Sequence, residues 1–345
     1  VTRNVRLADR LELRWSRSLD DYVTTMTVSP DGSMVLVGAL SGRGEVLDLV
    51  DGRAVRSLEP HPMGVLAAGW AHDGCRFATA GQDARVRIFR PDRSDRTVTV
   101  DLAGWGAALA WSPVDRLVAV GAGRTVVVID GDGEEVASWG ELPSTVTALA
   151  WSPDGVSLGA ACYGGVQWFC PAEPGRPVKA MPWKGSLLTL AVAPNGRWVA
   201  AGCQDESVHI WRLWTGDDLQ MAGYATKVEH IAWDPSSRYL AVGGVDDVTV
   251  WDFAGRGPQG SSPLFLDGHG GGVTALAYRP DGSRLASGDA GGLLSLWGPP
   301  SSSPTGSVEM GEPLSGVSWS PDGATLVVGS AHGTVTAVSV DGPER

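Results

Sequence analysis

Ala148-Leu149-Ala150-Trp151-Ser152-Pro153-Asp154-Gly155 is an apolar run closed by a turn tetrad, and it recurs with variations along the whole chain. Proline at the second turn position presets φ and the Asp-Gly pair supplies a tight reversal, so the tetrad predicts a hairpin between antiparallel strands. Eight such turns can be read: Ser29-Pro30-Asp31-Gly32, Ala71-His72-Asp73-Gly74, Ser112-Pro113-Val114-Asp115, Ser152-Pro153-Asp154-Gly155, Ala193-Pro194-Asn195-Gly196, Asp234-Pro235-Ser236-Ser237, Arg279-Pro280-Asp281-Gly282 and Ser320-Pro321-Asp322-Gly323. Their second positions step by 42, 41, 40, 41, 41, 45 and 41 residues. A fixed period of this length marks a tandem structural unit.

Each unit continues with a second apolar run such as Leu285-Ala286-Ser287-Gly288 and a third such as Val208-His209-Ile210-Trp211. A more variable fourth run follows, for example Thr97 to Asp101. Period-2 alternation and β-branched content make these strands, and four strands per unit is the arithmetic of a β-propeller blade. The last unit ends near Val340, leaving a tail too short for a fourth strand, while Leu11-Glu12-Leu13-Arg14-Trp15-Ser16 precedes the first turn where other units have a preceding fourth strand. The prediction is an all-β, eight-bladed propeller of four-stranded antiparallel blades, one domain over residues 1–345, whose N-terminal strand completes the last blade and removes an exposed edge. The alternative, seven blades, would leave one of eight similar units idle.

Composition agrees with many short strands and tight turns: 47 Gly, 22 Pro and 15 Trp accompany only 19% charged residues. A net charge of −12 repels phosphate backbones and anionic lipid heads, so no nucleic-acid or membrane partner is expected. Val1 to Arg10 carries three arginines with no apolar stretch after it, and no run of about 18 apolar residues occurs. Cys75, Cys162, Cys170 and Cys203 include no Cys-x-x-Cys pair, which points to a reduced, cytoplasmic protein rather than a disulfide framework or zinc site.

Trp251-Asp252 at the end of a third strand and Gly268-His269 before a first strand are the hallmarks by which the chain resembles the WD-repeat β-propeller family. Most units are degenerate, their third strands ending in Leu47-Asp48, Phe89-Arg90, Ile129-Asp130, Phe169-Cys170, Trp211-Arg212 and Trp297-Gly298. The resemblance implies a buried network of His, Ser or Thr, Asp and Trp within a blade. Its nearest match is His61, Thr79 and Asp83, with Phe89 in the Trp place. His269, Ser287 and Trp297 match in the seventh unit, where Gly291 stands at the Asp position, so that network is expected to be incomplete. Asp205 and Asp246 lie at turn positions without a matching His. Blade stability is therefore expected to lean on apolar packing, including Trp70, Trp111, Trp151, Trp233 and Trp319 just before the turns. Trp183 and Trp214 lie outside the repeat's packing positions and read as rim or outer-strand residues.

Catalytic signatures are lacking: there is no G-x-S-x-G elbow, H-E-x-x-H pair, P-loop or dinucleotide fingerprint. Gly121-Ala122-Gly123 has no following helix and reads as a hairpin turn. The six histidines fall at five places in the repeat frame, so no metal site, cofactor or catalytic residue is expected. Cys162 and Cys203, at equivalent positions in adjacent units, read as packed small hydrophobes.

The resemblance implies partner binding on the face carrying the loops before first strands and the turns between second and third strands. On that face fall Tyr22, Leu66, Gln82, Trp105, Tyr163, Leu188, Gln204, Lys227 and Glu229. Aromatics and aliphatics beside a few polar groups are the material of interface cores. The Gly/Pro/Ser-rich stretches Gly255 to Pro263 and Pro299 to Pro304 are placed on the opposite face. The expected function is a non-catalytic scaffold binding a protein or peptide. The alternative is a small-molecule sensor or unusual enzyme using the central channel, for which Lys227 with Glu229 is the one polar pair among these candidates.

Overall fold

A computed structural model describes residues 9–19, 21–255 and 257–341. The first eight residues, including most of the N-terminal arginine-bearing stretch, and the tail after Asp341 lie outside the described residues. Eight separate sheets arise from consecutive segments, and the sheet of Val23–Val28, Met34–Ala39, Gly44–Asp48 and Ala54–Ser57 sets the pattern for blade 1. The innermost strand of each blade touches that of the next, and Leu314–Trp319 of blade 8 touches Val23–Val28 of blade 1, which closes the ring. The chain is an eight-bladed β-propeller, and the seven-bladed alternative falls away because every unit forms a blade. Among the described residues there is no helix long and apolar enough to cross a membrane.

Blade 4 departs in one detail. Its second and third strands form one unbroken run, Leu158–Phe169. That run reverses at Gly164 and Gly165, whose φ of 96° and 123° only glycine adopts cheaply. The reversal sets Gly159 against the Trp168 ring, where an added Cβ would come within 3.0 Å.

The ring closes between the two ends of the chain. Arg10–Ser18 runs antiparallel to Thr334–Asp341, from Arg10 opposite Asp341 to Ser18 opposite Thr334, and so forms the fourth strand of blade 8. Asp9 anchors this strand to blade 7 by accepting bonds from Arg284 Nε and Nη2 at 2.6 and 3.0 Å. On the other side, Trp15 Nε1 donates to the Leu49 carbonyl of blade 1 at 2.8 Å.

The turn tetrads show why the repeat keeps its composition. Ser152 Oγ donates to Asp154 Oδ1 at 2.5 Å and accepts from the Ser157 N–H at 2.9 Å, while Gly155, at φ 71°, donates its N–H to the Ser152 carbonyl. The same Ser-Asp bond recurs at Ser29-Asp31 and Ser320-Asp322. In all three, the serine hydroxyl holds the aspartate pKa below its ordinary value.

The core is divided rather than central. Eight apolar clusters lie between neighbouring blades; one packs Val126, Trp139 and Phe169 across blades 3 and 4, and another packs Leu19, Val35 and Val327 across the closing seam. The pre-turn tryptophans do more than the apolar packing expected of them. Each of the five indoles also donates to a main-chain carbonyl in the innermost strand of the preceding blade, at 2.9 to 3.3 Å.

Candidate functional site

One hydrogen bond, repeated around the ring, defines the candidate face. The first residue of the turn between second and third strands donates its N–H to a carbonyl in the loop before the first strand of the same blade. This occurs from Leu40 to Tyr22, Gln82 to Gly64, Gly123 to Trp105, Gln204 to Ser186, Ala290 to Gly272 and Ala331 to Pro313. In these six blades two loops separated in sequence therefore share one rim and carry their side chains on a braced backbone.

On this rim Trp105 is 57% exposed, Tyr163 54% and Tyr22 40%. Gln82 is half-buried and Gln204 exposed, each tied to its loop as described. Leu66 and Leu188 are half-buried, Leu66 within the innermost strand Val65–Trp70 and Leu188 next to the buried Leu187. Lys227 Nζ lies 2.9 Å from Glu229 Oε1, so this exposed pair satisfies itself. Trp105 and Tyr163 belong to neighbouring blades and Tyr22 to blade 1, so the aromatics are spread along an arc rather than gathered at one point.

Neighbouring threonines are structural. Thr24 Oγ1 donates to the carbonyls of Gly38 and, in the next blade, Val65, at 3.0 and 2.7 Å; Thr147 Oγ1 bridges to Ala161 and Leu187 in the same way. The sequence reading missed Met63, which is 66% exposed and held at φ 80° in the His61-Pro62-Met63-Gly64 loop. A methionine before a strand reads as core, and only the left-handed backbone turns it outward.

Beneath the rim lie the buried polar networks. In blade 2, His61 Nδ1 sits 2.7 Å from Asp83 Oδ1 and Nε2 sits 2.8 Å from Thr79 Oγ1, while Arg87 Nη1 donates to Asp83 Oδ2 at 2.9 Å. Burial is the largest influence on His61 and pulls its imidazole below the ordinary value. Burial alone would raise Asp83, but bonds from His61 and Arg87 outweigh it and hold the carboxyl low. Arg87, buried, is the polar member that position matching did not include.

The seventh blade corrects the expectation of an incomplete network. His269 Nε2 lies 2.6 Å from Ser287 Oγ, Trp297 Nε1 donates to the same hydroxyl at 2.6 Å, and His269 Nδ1 lies 3.0 Å from Asp289 Oδ2. The carboxylate comes from the end of the second strand, two residues before Gly291. Its other oxygen accepts the Gly291 and Leu293 N–H groups at 2.8 and 2.9 Å, so one aspartate serves both the turn and the histidine.

Trp183 lies on an outer strand, Lys179–Ser186 of blade 4, as one of its two readings has it, but it is packed against the core rather than outside the packing positions. It stands eleven residues before the turn proline, the place of His61 and His269, and Tyr224 stands there in the sixth unit. Trp183 stacks on the buried His209 with ring centroids 3.9 Å apart, and His209 Nε2 lies 2.8 Å from Asp218 Oδ2. In blade 6, Trp251 Nε1 donates to the Tyr224 hydroxyl at 3.0 Å, and that hydroxyl lies 3.2 Å from Thr249 Oγ1. Four units thus carry a ring side chain at one position of the repeat, each with its own partners. Trp214, by contrast, is 61% exposed on the opposite face.

Cys162 and Cys203 are both buried, and burial pushes the Cys203 thiol up to about 11, so it remains a protonated packing group. Among the described residues no group of three or more His, Cys, Asp or Glu side chains is placed to hold a metal ion.

Comparison with known proteins gives a consistent result. The family model described as WD domain, G-beta repeat, matches residues 52–90, 175–212, 260–298 and 304–336. The matched stretch 52–90 begins just before the outer strand of blade 1 and ends with the third strand of blade 2, so the sequence repeat is offset from the structural blade by one strand. The periodic tryptophan protein 2 homolog of Neurospora crassa is 34% identical over 119 residues, which are 34% of this chain and 13% of that protein. Periodic tryptophan protein 2 of Arabidopsis thaliana is 28% identical over 198 residues, 55% of this chain and 21% of that protein. WD repeat-containing protein slp1 of Schizosaccharomyces pombe is 24% identical over 253 residues, 68% of this chain and 49% of that protein. The chain therefore spans less than half the length of each of these relatives. A crystal structure of the computationally designed Ika8 protein superposes with a TM-score of 0.79 at 21% identity, covering 94% of this chain and 98% of that one, which shows a shared fold. With the period, the closed ring and the matched repeats in agreement, this chain is an eight-bladed β-propeller that carries four repeats of the WD domain, G-beta repeat type.

Proposed function

We propose that this chain is a non-catalytic interaction scaffold that holds a protein or peptide partner on the rim built from the loops before first strands and the turns after second strands. The observation that carries this reading is the arc of exposed aromatics, Tyr22 and Trp105 in loops braced by the loop-to-turn hydrogen bond and Tyr163 on a strand paired to Ser186. Large rigid aromatics lose little conformational freedom on binding and are the side chains interfaces use as anchors. Leu40, Met63 and Val245 add exposed apolar surface on the same rim, while Gln82, Gln204, Lys227 and Glu229 supply polar contacts. The step from propeller to scaffold is analogy with the family, whose relatives above carry names that state repeats and no reaction. A net charge of −12 favours a protein partner over nucleic acid or a lipid surface, and four unpaired cysteines fit the reducing cytoplasm.

The test is affinity capture from the native host with the wild-type chain, a Tyr22→Ala/Trp105→Ala double variant and a Val50→Ala control on the opposite face. A stoichiometric protein lost only with the double variant, while its thermal midpoint stays within about 2 °C of wild type, supports the rim. Retention of every captured protein by the double variant overturns it. Co-purification of a small molecule without any protein partner moves the function to the central channel.

A further inference from the structure

On the face opposite the rim, blades 5 and 6 form a solvent-open cavity of about 580 Å³. Arg197 and Trp198 reach it from the start of one second strand, Arg212 and Trp214 from the end of the following third strand, and Arg238 from the neighbouring blade. In a chain of net charge −12, this wall holds three guanidinium groups, of which Arg238 is paired to Asp252 just outside it, and its described lining residues include no carboxylate. We propose that the cavity is a mononucleotide site, with the phosphate on the arginines and the base against Trp214. This inference does not depend on the rim as a partner surface.

Three features favour that ligand. First, the arginines are held in different ways. Arg212 lies over the Trp198 ring at 4.8 Å, and Arg238 donates from Nε and Nη2 to Asp252 at 3.2 and 2.8 Å. The exposed Arg197 guanidinium has no acidic partner among the described residues, so its charge is available to a ligand. Planar guanidinium forks match the oxygens of a phosphate.

Second, Trp214 presents its indole from a tied turn. The Arg212 N–H donates to the Asp217 carbonyl and the Gly216 N–H to the Arg212 carbonyl, at 2.8 and 3.1 Å, with Gly216 at φ 82°. The neighbouring Leu213 is buried, and Lys179 Nζ from blade 4 ties down its carbonyl. An indole fixed at 61% exposure beside cations offers a flat face for a heterocycle.

Third, the volume falls within the roughly 300 to 1,000 Å³ of small-molecule sites. It exceeds what inorganic phosphate would fill, and its concave shape suits a compact ligand better than an extended acidic chain.

The experiment is titration of the purified full-length chain, followed by tryptophan fluorescence and calorimetry, with AMP, GMP, CMP and UMP, and with adenosine and inorganic phosphate as probes of the separate halves. The expected result is saturable binding of at least one nucleotide, with adenosine and inorganic phosphate each weaker by about tenfold or more. Arg197→Ala weakens that nucleotide about fivefold or more at an unchanged thermal midpoint, and Trp214→Ala removes its advantage over inorganic phosphate. The proposal is overturned if none of the four saturates, if inorganic phosphate or adenosine binds as tightly as the best nucleotide, or if Arg197→Ala leaves the affinity unchanged.

Discussion

The Trp111 indole donates its N–H to the main-chain carbonyl of Gly69, 42 residues earlier and one blade away, at 2.9 Å. The spacing is one repeat, and Trp151 to Ala110, Trp233 to Ala191 and Trp319 to Ala277 repeat the arrangement around the ring. A carbonyl facing the channel side of one blade is thus capped by the next blade, so polar satisfaction and inter-blade packing are carried by one side chain. Gly69 leaves room for it, since an added Cβ would meet the Trp111 ring at 3.3 Å. Trp111→Phe keeps most of the apolar contact and deletes the donor. We expect a loss of about 1–3 kcal/mol in denaturant melts, and an unchanged midpoint would show that the bond contributes nothing.

Blade 7 carries Tyr278 at the position of these tryptophans, and its hydroxyl is buried without a hydrogen-bond partner among the described residues. Burial drives the phenol pKa far upward, so the group stays neutral. A buried hydroxyl that has lost water and gained no partner opposes folding. Tyr278→Phe is therefore expected to leave stability unchanged or raise it by up to about 1 kcal/mol. Tyr278→Trp should add a donor toward the preceding blade and raise the midpoint further. A clear loss in the phenylalanine variant would reveal a hydrogen-bond partner for the hydroxyl.

Acid sensitivity should come first from the buried histidines. Burial is the largest influence on His209 and lowers its pKa, outweighing Asp218, which raises it; His61 and His230 are lowered by burial too. A lowered pKa means that the unfolded chain takes up the proton first. The stabilising contribution is complete above the unfolded value near 6.5 and is lost as pH falls below it toward the folded values. The thermal midpoint should decline between about pH 7 and pH 5. His209→Phe keeps a ring between Trp183 and Trp211 and removes one titrating group, so its decline should be shallower. An equally steep decline in the variant would assign the acid sensitivity to other groups.

The blade count and the closure were legible because they rest on local chemistry. A Ser-Pro-Asp-Gly turn can be recognised residue by residue, and Leu11 to Ser16 stood in the only unfilled strand position of the repeat. The networks were only partly legible. Position matching looks for the blade 7 carboxylate at Gly291, whereas the Asp289 side chain reaches the same histidine from two residues earlier. It also looks for histidine before each first strand and passes over Trp183 and Tyr224, which hold that place with different partners. The cavity between blades 5 and 6 was not legible at all. Arg197, Arg212 and Arg238 belong to three separate stretches of sequence that no motif links, and only the packing of blade 5 against blade 6 brings them to one wall.

Closure by the N-terminal strand makes the stability of the whole ring depend on one terminal segment. Removing residues 1–19 would strip Thr334–Asp341 of its outer partner, delete the Trp15 bond to Leu49 and take Leu19 out of the seam between blades 8 and 1. Blade 8 would then present an unpaired edge, and the seam would lose both a polar latch and apolar fill. The expected cost is on the order of 4 kcal/mol, seen as a fall of about 10 °C in a single cooperative transition. A peptide spanning residues 9–19 added in trans should recover part of the loss, because its register is set by alternating partners along the final strand. Unchanged melting on truncation would mean that the ring closes without its velcro strand, through contacts between the innermost strands of blades 8 and 1 alone.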